Sequence, residues 1–118
     1  MKTTKKQQQI LGRIQKRADF LSVQKAGKKW VARGLVIQIA PNGGLGPRFG
    51  LTVTKKVSKS AVLRNRIRRR LRAAAYDVLS LRPASDTDYI LIGRIETEKR
   101  DYADLCRDIE WCLGKLEG

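Results

Sequence analysis

The stretch from Arg48 to Arg72 reads RFGLTVTKKVSKSAVLRNRIRRRLR, and its side-chain periodicity changes once along the way. Up to Thr54 it alternates, with Phe49, Leu51 and Val53 on one face of an extended segment and Thr52 and Thr54 on the other. From Val62 onward the apolar residues recur at helical spacing. With Ile67 set at zero on a wheel of roughly 100° per residue, Leu63, Leu71, Ala74 and Val78 all fall within about 40° of it. The helix is predicted over Val62 to about Leu81. It stops at Arg82-Pro83, since proline disfavours helical geometry in the residue before it. One narrow apolar stripe is thus available to dock on a sheet.

Working outward, Leu35 to Ile39 alternates like the first strand, with Leu35, Ile37 and Ile39 opposite Val36 and Gln38. The turn cluster Pro41 to Pro47 is expected to join Trp30–Ala40 to Arg48–Thr54 as a hairpin. Arg17 to Ala26 reads as a short helix with Gly27 as its stop. Asp86 to Asp88 turns into an apolar strand, Tyr89 to Gly93. A last helix, about Glu98 to Leu116, spaces Tyr102, Leu105, Ile109, Cys112, Leu113 and Leu116 by threes and fours. The order is α-β-β-α-β-α, with a further short strand admitted near Trp30 to Arg33. A single α+β domain, a mixed β-sheet with helices packed on it, is the economical solution. Its expected span is residues 13–118, behind a loose basic tail at residues 1–12.

The chain has 118 residues, which suffices for one core. No apolar run approaches the roughly 20 residues of a membrane-spanning helix, and the Lys- and Gln-rich start does not resemble a secretory signal. A cytoplasmic location is the expectation, with no membrane partner. There is no histidine, so zinc sites and imidazole acid–base chemistry lack their usual residues. Cys106 and Cys112 point roughly 120° apart on one predicted helix and read as small hydrophobes.

Charge is the informative quantity. Residues 1–76 hold 20 Lys and Arg against the single acid Asp19, while residues 77–118 hold six bases and ten acids. The net charge of +15 is therefore a strongly positive first part and a mildly negative second. Such segregation suggests a surface that faces a polyanion. Its centre is the helix, where Arg64, Arg66, Arg68, Arg69, Arg70 and Arg72 surround the apolar stripe without an acid nearby in sequence. Like charges at i,i+4 spacing destabilise a bare helix by roughly a few tenths of a kcal/mol per pair, and phosphates relieve that. Arginine also suits bidentate phosphate contacts, and Asn65 adds a neutral donor and acceptor able to reach a base edge or a 2′-hydroxyl. The acids of the second part are expected mainly on the exposed face of the last helix.

Val36, Gln38, Thr52 and Thr54 would then form an open, mildly polar sheet face. Phe20 borders it, where core packing is the commoner role and stacking on an unpaired base the alternative. The residues alone leave room for a structural ribosomal protein. They also leave room for a DNA-binding regulator, although a recognition helix mixes its base-reading residues and follows another helix, not a strand.

At this point the chain resembles the protein component of bacterial ribonuclease P over about Arg13 to Leu116. Three stretches carry the resemblance in order: RADFLSVQKAGKKW, then RFGLTVTKKVSKSAVLRNRIRRRLR, then DYILIGR. Gly50, Lys55-Lys56, Ala61-Val62 and Arg64-Asn65-Arg66 sit at the family's spacing. The resemblance implies an α-β-β-β-α-β-α order with a left-handed crossover around the basic helix. It implies that Arg64, Asn65, Arg66, Arg68, Arg69, Arg70 and Arg72, with Lys59 just ahead of them, meet the catalytic RNA. A cleft between the first helix and the sheet would take the 5′ leader of precursor tRNA, through Phe20, Gln24, Val36, Gln38, Thr52, Thr54, Lys55, Lys56 and Arg94. Family members often carry aromatics at the positions of Gln24 and Gln38, and a glycine at that of Ser58. In this family the RNA, with bound Mg²⁺, cleaves the phosphodiester bond and the protein is an accessory subunit, inactive alone. No DNA partner is expected.

Overall fold

Tyr89-Ile-Leu-Ile has no polar alternation, and a strand apolar on both faces belongs in the middle of a sheet. In the computed structural model, which describes residues 11–83 and 85–117, that is where it lies. The elements in chain order are β1 (Gly12–Arg13), α1 (Arg17–Ala26), β2 (Lys28–Val31), β3 (Leu35–Pro41), β4 (Arg48–Thr52), α2 (Ala61–Leu79), β5 (Thr87–Gly93), α3 (Ile95–Lys99) and α4 (Tyr102–Glu117). The five-stranded sheet runs β1-β4-β5-β3-β2 and is mixed. β5 is parallel to β4 and antiparallel to β3, while β1 is parallel to β4 and β2 antiparallel to β3.

Two helices cover one face. Ile67, Leu71, Ala74, Ala75 and Val78 of α2 and Leu105, Ile109, Cys112 and Leu113 of α4 close over Leu35, Ile37, Phe49, Tyr89 and Leu91. At Gly93 there is no room for a side chain, because a Cβ would stand 2.7 Å from Ile67 Cγ2 and 2.9 Å from Val53 Cγ2. That lets α2 lie close to the sheet. On the other face α1 buries Val23 against a smaller cluster of Ile14, Ala40 and Ile90. α1 ends where Gly27 takes the left-handed conformation (φ 81°), which turns the chain into β2. Cys112 is buried, and that burial pushes its thiol up to about 11, so it remains a protonated hydrophobe at neutral pH.

Four expectations need correction. β3 and β4 do not form a hairpin, because β5 inserts between them. The connection between them instead straddles the start of β5: Asn42 N donates to Asp86 O at 3.0 Å, Asn42 Nδ2 to Asp88 Oδ1 at 2.9 Å and Gly46 N to Asp86 Oδ1 at 2.9 Å. Arg48 grips the same Asp88 with two hydrogen bonds of 2.8 and 2.7 Å. Second, the further short strand admitted near Trp30 to Arg33 is present but lies earlier, as β2 at Lys28–Val31, and residues 32–34 separate it from β3.

Third, the last helix breaks at Arg100, whose backbone is extended (ψ 136°), into α3 and α4. Its guanidinium is held by Asp108 at 2.8 and 3.0 Å, so the kink is tied to α4. Fourth, the tail expected over residues 1–12 lies outside the described residues as far as residue 10. Leu11 packs against the core and Gly12 opens β1.

Candidate nucleic-acid interface

Ser60 caps α2, its Oγ accepting from Leu63 N at 3.1 Å, and the helix then carries its arginines along the flanks of the buried stripe. They are not equivalent. Arg64 Nη1 donates to Ser58 O at 2.9 Å, and Arg68 donates to Asn65 Oδ1 at 3.0 Å and to Val53 O at 3.4 Å. Each leaves further N–H groups uncommitted, since a guanidinium has five. Arg70 is turned to the protein: Nε donates to Thr97 O at 3.0 Å and Nη2 to Arg100 O, which straps α3 to α2. Arg72 Nε is buried without a hydrogen-bond partner. Arg69 is exposed, and its guanidinium makes no hydrogen bond or ion pair among the described residues.

Arg66 carries the departure that matters most. It is 52% exposed and pairs with Glu98 Oε2 at 2.8 Å. An acid absent from the sequence neighbourhood of the helix therefore reaches it from α3. Pairs this exposed contribute about 0–1 kcal/mol, so a phosphate can take the place of Glu98. The acids of the second part are also not confined to the outer face of the last helix, because Asp108 is only 8% exposed. Its position was legible: it lies three residues after Leu105 and four before Cys112, on the apolar stripe.

The other face holds an open cleft of about 400 Å³, lined by Gln15, Arg17, Phe20, Leu21, Gln24 and Thr52. Three of the expected leader-binding residues, Phe20, Gln24 and Thr52, therefore share it. Gln15, Arg17 and Leu21 had not been singled out, although Arg17, Phe20, Leu21 and Gln24 stand at i, i+3, i+4 and i+7, one face of α1. The ring of Phe20 rests over Gly50, where an added Cβ would lie 2.7 Å from Phe20 Cζ. Phe20 is half-buried, so it serves both packing and the cleft. Gly50→Ala is expected to displace it and cost roughly 1–3 kcal/mol, measured by urea unfolding. A loss below about half a kcal/mol would mean that the ring is not seated on that glycine.

The strand register extends the cleft floor. Thr52, Ile92 and Val36 are successive cross-strand neighbours, all partly exposed, and Val31 of β2 follows in the same row. Gln38 lies one row away beside Ile90, its Oε1 buried without a hydrogen-bond partner. Thr54, Lys55 and Lys56 are exposed in the turn after β4, and Lys59 is exposed just before the cap of α2. Arg94 follows β5 directly and is anchored by Nη1 on Ala32 O at 2.6 Å.

A single α+β domain with an arginine-flanked helix on one side and an open, partly apolar cleft on the other is a basic RNA-binding protein. The comparisons with known proteins name the kind. The family model described as Ribonuclease P matches residues 10–117. The chain is 46% identical over 111 residues to the ribonuclease P protein component of Paramagnetospirillum magneticum, covering 90% of this chain and 83% of the relative. With the Gluconacetobacter diazotrophicus protein component it shares 45% over 104 residues, covering 87% and 89%. Among solved structures, the RNase P protein from Thermotoga maritima superimposes with a TM-score of 0.74 at 27% identity, covering 90% of this chain and 98% of that one. The Staphylococcus aureus RNase P protein gives 0.68 at 29%, covering 87% and 93%. The chain belongs to the ribonuclease P protein family, the protein subunits of a ribonucleoprotein endonuclease of tRNA processing that associate with its RNA. Neither a ribosomal protein nor a DNA-binding regulator accounts for these matches.

Proposed function

We propose that α2 seats the catalytic RNA through Arg66 and Arg69 foremost, with Arg64, Asn65, Arg68, Arg72 and Lys59 around them, and that Arg70 serves instead to hold α3. The cleft beneath α1 receives the single-stranded 5′ leader of precursor tRNA, with Phe20 and Thr52 as floor and wall, Gln24 at the rim, and Val36 and Gln38 further across the sheet. Lys55, Lys56 and Arg94 supply positive charge where the leader enters or leaves, while Thr54 borders them. The observation that carries this reading is the pairing of two chemically different surfaces on opposite faces of one sheet. One is cationic and suits the phosphates of a folded RNA, and the other is a groove with the Phe20 ring among polar and aliphatic side chains, which suits unstacked bases.

The chemistry belongs to the RNA. Hydrolysis by the protein would need converging carboxylates or a general base, and among the described residues no three His, Cys, Asp or Glu side chains gather as a metal-binding group. In this proposal Mg²⁺ acts on the RNA and substrate. The protein screens repulsion between the two RNAs and raises the affinity for leader and Mg²⁺. Among the described residues no helix is long and apolar enough to cross a membrane, and the proposed site of action is the cytoplasm.

Adding the chain to ribonuclease P RNA and precursor tRNA at low Mg²⁺ is expected to stimulate 5′ cleavage. Absence of stimulation rejects the reading. Phe20→Ala is expected to weaken binding of precursor tRNA by roughly 1–3 kcal/mol while leaving mature tRNA nearly unaffected, if one base stacks there. Equal losses for the two RNAs would return Phe20 to packing alone.

A further inference from the structure

β2 is an edge of the sheet, paired only with β3, and all four of its residues are exposed. Such edges are commonly protected by charge, and Lys28 and Lys29 supply it here, with Lys25 just before and Arg33 just after, all exposed. Trp30 does not fit that protective role. Its register opposite Ile37 turns it to the α4 side, where it remains 38% exposed. There it meets Trp111, 49% exposed, edge to face with centroids 6.0 Å apart and planes at 72°. Lys115, one turn further along α4, places its ammonium 5.9 Å from the centre of the Trp111 ring.

Two half-open indoles with lysines around them have the composition of a stacking platform for unpaired bases. Of the neighbouring acids on α4, Asp108 is held by Arg100 and Glu117 by Arg82. Glu110, exposed beside Trp111, is met by Lys115 over that ring and by Lys28 on the Trp30 face of β2. Position narrows the occupant. α2, with the arginines proposed for the catalytic RNA, packs over β4 and β5, whereas α4 packs over β3 and β2 at the other side of the sheet. The cleft floor, by contrast, leads to this edge. The row Thr52, Ile92, Val36, Val31 crosses from β4 to β2, about 14 Å at ordinary strand spacing. Lys29 and Val31 point to the cleft side of β2, and Lys28 and Trp30 to the other, so a strand of RNA that follows the row reaches the tryptophans by rounding one edge.

We propose that Trp30 and Trp111, with Lys28 and Lys115, form a second single-stranded RNA site that takes leader nucleotides extending beyond the α1 cleft, past Lys29 on the cleft side of the same edge. The proposal rests on the cleft holding the leader. The test uses the reconstituted protein–RNA enzyme and two precursor tRNAs. One leader is only long enough to occupy the cleft, and the other is longer by on the order of ten nucleotides, within the span of known single-strand sites.

Trp30→Ala and Trp111→Ala are each expected to weaken binding of the long-leader substrate roughly five- to a hundredfold, the loss of one stacked base, with little change for the short one. Trp30→Phe should retain most of the affinity. The chain has only two tryptophans, so quenching of its intrinsic fluorescence by the long leader and not by the short one reports the same contact directly. Equal effects on both substrates, or no leader-dependent quenching, overturn the second site. Phe20→Ala with the short leader separates the two failures. If it weakens binding while the tryptophan variants do not, only the second site falls; if it has no effect, the cleft reading and this one fall together.

Discussion

Asp108→Ala is expected to cost about 3 kcal/mol of folding stability, as expected when one partner of a buried charged pair is removed. The carboxylate sits on the apolar face of α4 and accepts three hydrogen bonds. Oδ2 accepts from Gly34 N at 3.0 Å, in the turn between β2 and β3, and the two oxygens take the Arg100 guanidinium at 2.8 and 3.0 Å. Truncation strands a buried N–H and a partly buried cation at once. It also frees the kink at Arg100, whose carbonyl in turn anchors Arg70. Gly34 leaves no slack, since a Cβ there would lie 2.6 Å from Asp108 Oδ2. Urea unfolding monitored by tryptophan fluorescence measures the loss. A change under about 1 kcal/mol would show that water replaces these contacts freely and that Asp108 is no keystone.

The double variant Arg66→Ala/Arg69→Ala is expected to bind the catalytic RNA roughly fiftyfold more weakly at ~0.1 M salt, with the salt dependence flattened by up to about two units of slope. The arithmetic is that of two released phosphate contacts at about 0.9 of a unit each. Arg70→Ala should behave differently, although it lies in the same run of arginines. Its donors are spent on Thr97 O and Arg100 O, so it is expected to lower stability by about 2 kcal/mol while changing the slope by less than half a unit. Filter binding across a salt series, beside urea unfolding of the same proteins, distinguishes the two patterns. Identical slopes for Arg70→Ala and the double variant would mean that internal hydrogen bonding does not sort these arginines. Glu98 sharpens the comparison, because it pairs with Arg66 and not with Arg69. Removing Arg66 should therefore cost somewhat less than removing Arg69.

Several parts of this were legible before any coordinates. The limits of α1 and nearly those of α2 follow from local signals: a glycine stop after α1, helical apolar spacing from Val62 onward and a proline beyond the end of α2. The strand faces also follow, since Phe49, Val53, Leu35, Ile37 and Ile39 are buried as their alternation requires. The cleft was half visible. Strand parity puts Thr52 on it and the short helix brings Phe20 to its border, whereas Gln15, Arg17 and Leu21 join it only through the way α1 lies on the sheet. Strand order was not legible. A glycine-rich turn between two amphipathic strands signals a hairpin, and nothing local announces that β5 will pass between them. Only the doubly buried pattern of Tyr89 to Leu91 hinted that it needed neighbours on both sides.

By itself the sequence determined where α1, α2 and the central strands lie, which face of each is greasy, and that positive charge concentrates on α2. Those properties depend on residues within a few positions of one another, where periodicity and capping act. Tertiary structure alone decided which arginines remain available, because the groups that engage Arg66 and Arg70 are Glu98, Thr97 and Arg100, about 30 residues away along the chain. It likewise decided that Trp30 and Trp111 meet at an open edge. Such pairings are set by how helices settle on a sheet whose strand order closes long loops, and no local pattern encodes that choice.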